Sequence, residues 1–372
     1  MFTDAKIIFA GLSTATTPKI ALIKDAIEQL GIETETVAIV KYPEQKQRHI
    51  NFVINQRSTT LKVLLAAAQA LRAMAYLIKQ TNKQSICYAI NPPSGLMALI
   101  LKIIKGTPYL YETHEIFCGF NNDIYGGWRR HLWHRVESLI IKKSEYFIAT
   151  DEFRLKFLKR YYKIKTTPSF FLYNTTNNHF VEKEQTTPKI KGSVSYCGGI
   201  YPDRMIDTVI AAFSKCTIAT QLTLAGTYDQ HYKDELNKLI ESLKIQDRVI
   251  FTGPLPNTEL KSIMAQSEVT IAIYSQDCTN NRLCSPNKFF DAIATNTQII
   301  TTQSPLAKRL LVANNLGEVC NPLTEINLTQ NIYRALNRDT DSEPNEKHGK
   351  NSQFLWDAES AKLKTAITTL ST

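Results

Sequence analysis

The stretch Cys284-Ser285-Pro286-Asn287-Lys288-Phe289-Phe290-Asp291 brings a hydroxyl, an amide, a cation and a carboxylate together within eight residues. Ser285 can cap a helix through its hydroxyl. Pro286 suits the first helical position, where its missing N–H would have had no partner. A helix start exposes free N–H groups and a partial positive charge, and Lys288 in the first turn adds a full one, so the stretch suits a diphosphate. Asp291 follows Lys288 at i+3 spacing, where a carboxylate can accept hydrogen bonds from a ribose diol. The same spacing also fits a core helix carrying a solvated Lys–Asp pair. Asn296, which tolerates a left-handed cap, ends the helix ahead of a buried strand at 298–302.

His114-Glu115 is the second place with chemical capacity. A histidine that titrates near neutrality, followed by a carboxylate, can act as donor, acceptor or base, and a loop histidine bonded to backbone is the plain alternative. The pair stands just past an apolar run at 107–113, read as a strand. Gly11 follows a shorter run at 6–10 and reads as a tight turn or a close ligand contact.

Positioning these groups takes a regular alternation of elements. After Gly11, Thr17 caps a helix beginning at Pro18, Gly31 stops it, and 36–40 forms the next strand. Residues 41–57 read as loop, 60–79 as helix, 85–90 as strand, 91–95 (Asn-Pro-Pro-Ser-Gly) as a turn-rich loop and 96–105 as helix. Gly127 to Lys143 interleaves Trp128, Trp133 and aliphatic residues with Arg129, Arg130, Arg135, Lys142 and Lys143. That pattern fits either a helix at a membrane surface or an amphipathic core helix. Strands alternating with helices at this spacing predict an α/β protein with parallel sheets, whose ligands bind beyond the carboxyl ends of the strands. A polar, threonine-rich break at 175–192 reads as a linker. The pattern then restarts with a strand at 193–197 and the loop from Gly198-Gly199 to Arg204. The expected domains are 1–175 and 190–345, with a closing helix at 354–372.

The 372 residues carry 44 Lys+Arg and 34 Asp+Glu, and the excess is not evenly spread. Residues 1–180 hold 24 basic and 13 acidic side chains, a net charge of +11, while the remainder is close to neutral. A basic half fits an anionic partner such as a membrane surface, a phosphorylated substrate or nucleic acid, although solubility alone also accounts for it. No nucleic-acid module signature accompanies the charge. The seven cysteines show no CxxC pair, which argues against a zinc site or a disulfide framework and for a reducing, cytoplasmic setting. No run reaches the roughly 20 apolar residues of a membrane span, and the N-terminus lacks the charged leader and apolar run of a signal peptide.

Residues 190–325, with YCGGIYPDRMIDTVIAAF, LTLAG, DRVIFTG and SPNKFFDAIATNTQIITT in order, resemble the nucleotide-sugar domain of family 4 glycosyltransferases, and YETHE resembles the loop carrying that family's active-site histidine. The resemblance covers most of the chain. It implies the GT-B fold: two Rossmann-like domains facing across a cleft, with a C-terminal helix packing back. It implies retaining transfer of a sugar from a nucleotide diphosphate without an essential metal or other cofactor, the acceptor being a glycan or lipid-linked envelope precursor bound by the first domain. On this alignment Asp291 stands where the family holds the donor ribose with a glutamate. Leu283 stands at the family's first glutamate and Gly199 at its arginine. Arg204 fits the second basic position only with a loop one residue shorter, and Lys288 or Arg282 can supply the missing charge. The donor set is then Gly198, Gly199, Arg204, Ser285, Asn287, Lys288 and Asp291, with backbone N–H groups at 284–288 orienting the sugar. His114 is the catalytic-site residue, Gly11 and Glu115 lie on the acceptor side, and no metal ligand is implied.

Leu283 and Gly199 also fit a non-catalytic GT-B partner or scaffold. A metal-dependent GT-A enzyme would use the Asp339-Thr340-Asp341 spacing, but that triplet lies in a solvated loop. A nicotinamide oxidoreductase is disfavoured because no GxGxxG follows the first strand.

Overall fold

The computed structural model describes residues 6–12, 18–40, 49–53, 59–82, 84–119, 127–176, 187–338, 354 and 356–371. The Thr17 cap, residues 177–186 of the linker and the Asp339-Thr340-Asp341 triplet lie outside them. The chain divides into two compact units, one formed by Met1–Tyr173 with Asp357–Thr372 and the other by Asn174–Trp356.

The first unit runs β1 (Lys6–Leu12), α1 (Pro18–Glu28), β2 (Glu33–Val40), β3 (His49–Val53), α2 (Thr59–Gln80), β4 (Ser85–Ile90), α3 (Asn91–Lys105), β5 (Tyr109–Thr113), α4 (Gly127–Lys143), β6 (Tyr146–Ala149), α5 (Glu152–Tyr161) and β7 (Ser169–Phe171). Its strands form one parallel sheet in the order β3-β2-β1-β4-β5-β6-β7. The direction of winding reverses between β1 and β4. Every residue of β4 and β5 is buried, as expected of central parallel strands covered on both faces.

Three local readings are corrected here. Gly11 lies inside β1, paired with Ala38, so it is a strand residue and not a turn. The polar segment 41–57 contains an edge strand, β3, whose short apolar alternation at Ile50 and Phe52 is easily lost among flanking polar residues. The Asn-Pro-Pro-Ser-Gly sequence opens α3 instead of forming a loop. Its prolines occupy the first turn, where no N–H is needed, and Asn91 enters with φ +67°. Gly95 then lets α3 sit close, since a Cβ there would come within 2.8 Å of the Tyr111 ring and 2.7 Å of Ile140.

α4 buries Ile140 and Ile141 with the carboxyl of Glu137, and leaves Leu132 and Leu139 exposed. Glu137 accepts hydrogen bonds from the hydroxyls of Tyr111 (2.9 Å) and Tyr162. Burial pushes its carboxyl up to about 7 against those bonds. Asp151 caps α5 by accepting from the N–H groups of Phe153 (2.7 Å) and Arg154 (2.9 Å).

The second unit runs β8 (Ile190–Cys197), α6 (Ile206–Lys215), β9 (Gln221–Ala225), α7 (Gln230–Leu243), β10 (Val249–Gly253), α8 (Asn257–Gln266), β11 (Ser267–Ala272), a short helix at Thr279–Arg282, α9 (Asn287–Ala294), β12 (Gln298–Thr302), β13 (Gly317–Cys320) and α10 (Glu325–Leu336). Its parallel sheet has the order β10-β9-β8-β11-β12-β13, so winding reverses between β8 and β11. Val194, Tyr196, Phe213, Leu224 and Ile271 lie at the centre of its core. A last helix, α11 (Trp356–Ser371), belongs with the first unit, where Glu359 accepts from the Tyr173 N–H at 2.9 Å.

The loops after β8 and β9 touch backbone to backbone. Gly226 has φ +137°, and a Cβ there would lie 2.1 Å from the Gly198 carbonyl oxygen. Gly31 also has positive φ, +76°, but open space around it. Gly226→Ala should therefore cost at least about 2 kcal/mol and Gly31→Ala only about 1 kcal/mol, because the first adds a backbone clash to a φ that L residues reach less readily than that of Gly31. Thermal melts of the two variants beside the parent check this order, and equal shifts would refute it.

Candidate functional site

A cavity of about 220 Å³ opens in the second unit at the carboxyl ends of β8 and β11, where winding reverses. Cys197, the last residue of β8, and Gly198 just after it form one wall. Tyr274, two residues past β11, forms another, while Pro286, Asn287, Lys288 and Asp291 contribute the start of α9. α8 closes the cavity with Asn257, Leu260, Lys261 and Met264.

The start of α9 differs by one residue from the sequence reading. The helix begins at Asn287, with Pro286 in the capping position at φ −78° and no capping side chain. Ser285 is buried outside the cavity lining, and its carbonyl accepts from the Asn174 side-chain amide at 2.8 Å. With the helix starting at Asn287, Ser285 stands one place too early to cap it. The Cys284 and Leu283 N–H groups donate to Asn281 (3.1 Å) and Thr279 (3.0 Å) within the short helix, and Phe289 donates to Pro286 (3.1 Å). The N–H groups left at the cavity are those of Asn287 and Lys288, in the first turn of α9. At the other end Asn296 takes φ +49°, and β12 follows over the expected residues.

Lys288 does not pair with Asp291. Its ammonium lies 4.1 Å from the centre of the Tyr196 ring and 5.9 Å from that of Tyr274. Gly198, at φ +144°, makes room for it, since a Cβ there would meet Nζ at 2.8 Å. Burial, and then the positive charge of Arg204, push the Lys288 ammonium down to about 8. Arg204 stacks on Tyr274 at 4.8 Å and pairs with Asp203 at 3.5 Å, beside the cavity and outside its lining. Gly199 also lies outside the lining. A Cβ on it would stand 2.5 Å from the Tyr201 ring, so no arginine fits there without moving Tyr201. Tyr196 holds this turn by donating its hydroxyl to the Gly199 carbonyl at 2.7 Å.

Asp291 is buried and pairs instead with Lys261 of α8, Nζ to Oδ1 at 3.0 Å. Burial raises its carboxyl, with Lys261 and then Lys288 opposing. Cys197 is a poor nucleophile here, because burial pushes its thiol up to about 12 and Sγ points to the Leu260 carbonyl at 3.3 Å. Leu283 and Arg282 are not part of the lining. Sequence reasoning missed Tyr274 and Lys261. Tyr274 stands at a strand end, where ligands gather, whereas Lys261 sits in an ordinary amphipathic helix with nothing to mark it.

The other expected site residues belong to the first unit. His114 follows β5, with Nε2 3.2 Å from Oε1 of the fully buried Glu112. Lys19 reaches the same oxygen at 2.6 Å, and the Tyr88 hydroxyl donates to the other at 2.6 Å. Burial opposes ionisation of Glu112, yet the Lys19 ammonium and His114 outweigh it and hold the carboxyl well below the usual range. The His114 N–H donates to the Asn91 side chain at 2.9 Å, and its carbonyl accepts from Arg154, which also pairs with Glu115 at 3.6 Å. Among the described residues no His/Cys/Asp/Glu group could hold a metal ion, and no helix is long and apolar enough to cross a membrane.

Residues 176–353 match the model of the family described as Glycosyl transferases group 1. That is the unit containing the cavity. The whole chain is similar to solved structures: sucrose-phosphate synthase from Thermosynechococcus elongatus (15% identity, 98% of each chain covered, TM-score 0.74) and HepE from Anabaena in complex with UDP-glucose (14%, 98% of this chain and 99% of that, TM-score 0.70). A third is the lipopolysaccharide outer core galactosyltransferase WaaB in its apo form (13%, 98% and 99%, TM-score 0.67). No curated protein sequence matches significantly. The chain thus has the GT-B fold, with two Rossmann-like α/β units.

The Lys288 environment has a consequence for stability. Its folded value of about 8 lies below its ordinary 10.5, so between those values the unfolded chain binds more protons. Stability contributed at this position must therefore rise as pH increases from about 8 to 10.5. Relative to Lys288→Met, the parent should gain about 1–3 kcal/mol across that window. Parallel melts at pH 7.5 and 10 measure it, and a constant difference between the two proteins would contradict the burial of the charge.

Proposed function

We propose that the chain is a nucleotide-sugar-dependent glycosyltransferase that binds its donor in the cavity of the second unit. The observation that carries this reading is the convergence, in one cavity, of a side-chain-free strand end at Gly198, the first N–H groups of α9, the Lys288 ammonium and the Asp291 carboxylate. This combination suits a nucleoside diphosphate. The helix start and Lys288 meet the phosphates, with Arg204 adding charge beside Tyr274, and Asp291 meets the ribose. The same cations stabilise the charge that develops on the leaving diphosphate, which is where electrostatic catalysis acts.

HepE was solved with UDP-glucose, which supports a nucleoside-diphosphate hexose as donor class. Transfer with retention, without a metal or other cofactor, follows from the family resemblance. We assign His114 to contact with the transferred sugar or the acceptor, and Gly11 and Glu115 to the acceptor side. The galactosyltransferase WaaB acts on the lipopolysaccharide outer core, which supports a lipid-linked or envelope glycan acceptor here. The basic first half, net +11 over residues 1–180, supports a peripheral position on an anionic membrane face in the cytoplasm, and nucleic acid is not a proposed partner.

A non-catalytic GT-B scaffold is the second reading. Leu283 has no carboxylate to offer a sugar, and Gly199 brings no cation.

A thermal-shift screen against UDP-, GDP-, dTDP- and CMP-sugars separates the two readings. At 100 times its dissociation constant the donor should stabilise the protein by about 2.7 kcal/mol, and Asp291→Ala should lose that shift. No shift from any nucleotide sugar would favour the scaffold. Liposome sedimentation should show retention on anionic vesicles that falls with added salt, and equal retention on neutral vesicles would remove the membrane reading.

A further inference from the structure

Asp291 and Lys261 form a buried pair that the donor reading alone does not require. Asp is one methylene shorter than the glutamate carried at this position in the resembling family, so its carboxylate has less reach and fewer ways to face a ligand. Lys261 comes from a different helix, α8, is 8% exposed, and lines the same cavity. Its Nζ holds Oδ1 of Asp291 at 3.0 Å and donates on its other side to the Thr176 hydroxyl. Asp291 itself lines the cavity, so its carboxylate is held by Lys261 at the cavity wall. The groups facing the carboxylate are Lys261 from α8, Lys288 from its own helix and the Cys197 thiol from β8. Lys288 is drawn away onto Tyr196, so Lys261 is the cation in contact with Asp291. Burying an ammonium costs several kcal/mol unless a partner compensates, and removing one partner of such a pair leaves the other charge exposed to that cost.

We propose that Lys261 is a positioning residue for ribose recognition: by anchoring Oδ1 of Asp291 it fixes the orientation in which the carboxylate meets the ribose diol of a nucleoside diphosphate. This rests on the donor reading given above. It makes discrimination between ribose and deoxyribose a property of the pair, and assigns α8 a part in selecting the nucleotide.

The test is calorimetric titration of the full chain with UDP, GDP and ADP and with their 2′-deoxy and 3′-deoxy forms. The proteins are the parent, Lys261→Met, Asp291→Asn and the double variant Lys261→Met/Asp291→Asn. A charge-assisted hydrogen bond to the diol should make the parent prefer at least one ribonucleoside diphosphate over a deoxy form by about tenfold or more. Lys261→Met should reduce that preference to less than about threefold, and the double variant should be no worse than either single change, as for two residues acting together. Lys261→Gln, which keeps a donor toward Asp291, should retain an intermediate preference, and it carries the test if Lys261→Met does not fold. A full preference in both Lys261 variants with loss in Asp291→Asn would overturn the proposal while leaving the donor site intact. Tight binding by the parent with no preference would overturn ribose recognition by Asp291 as well. No binding of any nucleoside diphosphate by a parent that melts cooperatively would overturn the donor reading itself, and this proposal with it.

Discussion

The second unit is arranged around one constraint, the burial of the Lys288 ammonium on the face of Tyr196. An ammonium out of water must find compensation. Here it comes from an aromatic face at 4.1 Å and the more distant carboxylates of Asp291 and Asp203. The arrangement works only because the strand end beneath it carries no side chain. Gly198 leaves the space Nζ fills, and Gly226 lets the neighbouring loop approach the Gly198 carbonyl. Tyr196 in turn holds the Gly199 carbonyl, so the ring that carries the charge also fixes the turn beside it. A change at any of these positions would displace the cation from the cavity wall.

The first unit solves a similar problem with a different set of groups. Glu112 is completely buried on a central strand, and three side chains from separate elements converge on it: Lys19, Tyr88 and His114. The carboxylate is therefore the anchor and His114 the group it orients. Asn91 and Arg154 fix the His114 backbone from either side, which leaves the imidazole little freedom beyond rotation about its own side-chain bonds. A residue so constrained at a strand end is organised in advance, and pre-organisation is what a polar group needs to act on a ligand without reordering.

Much of this was legible in the sequence, for reasons that can be stated. β4, β9 and β12 are short, largely apolar runs bounded by glycine or polar residues, so punctuation locates them. β3 was not legible, because an edge strand with one short alternation lacks that contrast. Asn91 to Gly95 misled because proline and glycine punctuate both loops and helix starts, and only the packing of Gly95 on Tyr111 and Ile140 decides between them. In the site, Lys288 and Asp291 could be placed together by helical spacing. Their partners could not. Lys288 turned to a ring on β8 and Asp291 to a lysine on α8, contacts between elements far apart in sequence that no local period records.

The energetics of the cavity also bear on whether it is a remnant. Burial pushes Lys288 down and Asp291 up, so both charged forms are held at a cost to the fold. Replacing a buried ion pair by apolar residues of similar volume is commonly neutral or stabilising. A chain with no ligand to bind would gain by such replacement at Lys261, Lys288 and Asp291. Leu283 and Gly199 are different in kind. Each lies outside the cavity lining, and neither leaves a buried polar group unmatched within it. On the donor reading proposed above, the costly charges sit where a diphosphate and a ribose would offset them. On that reading the retained charges argue against a decayed site.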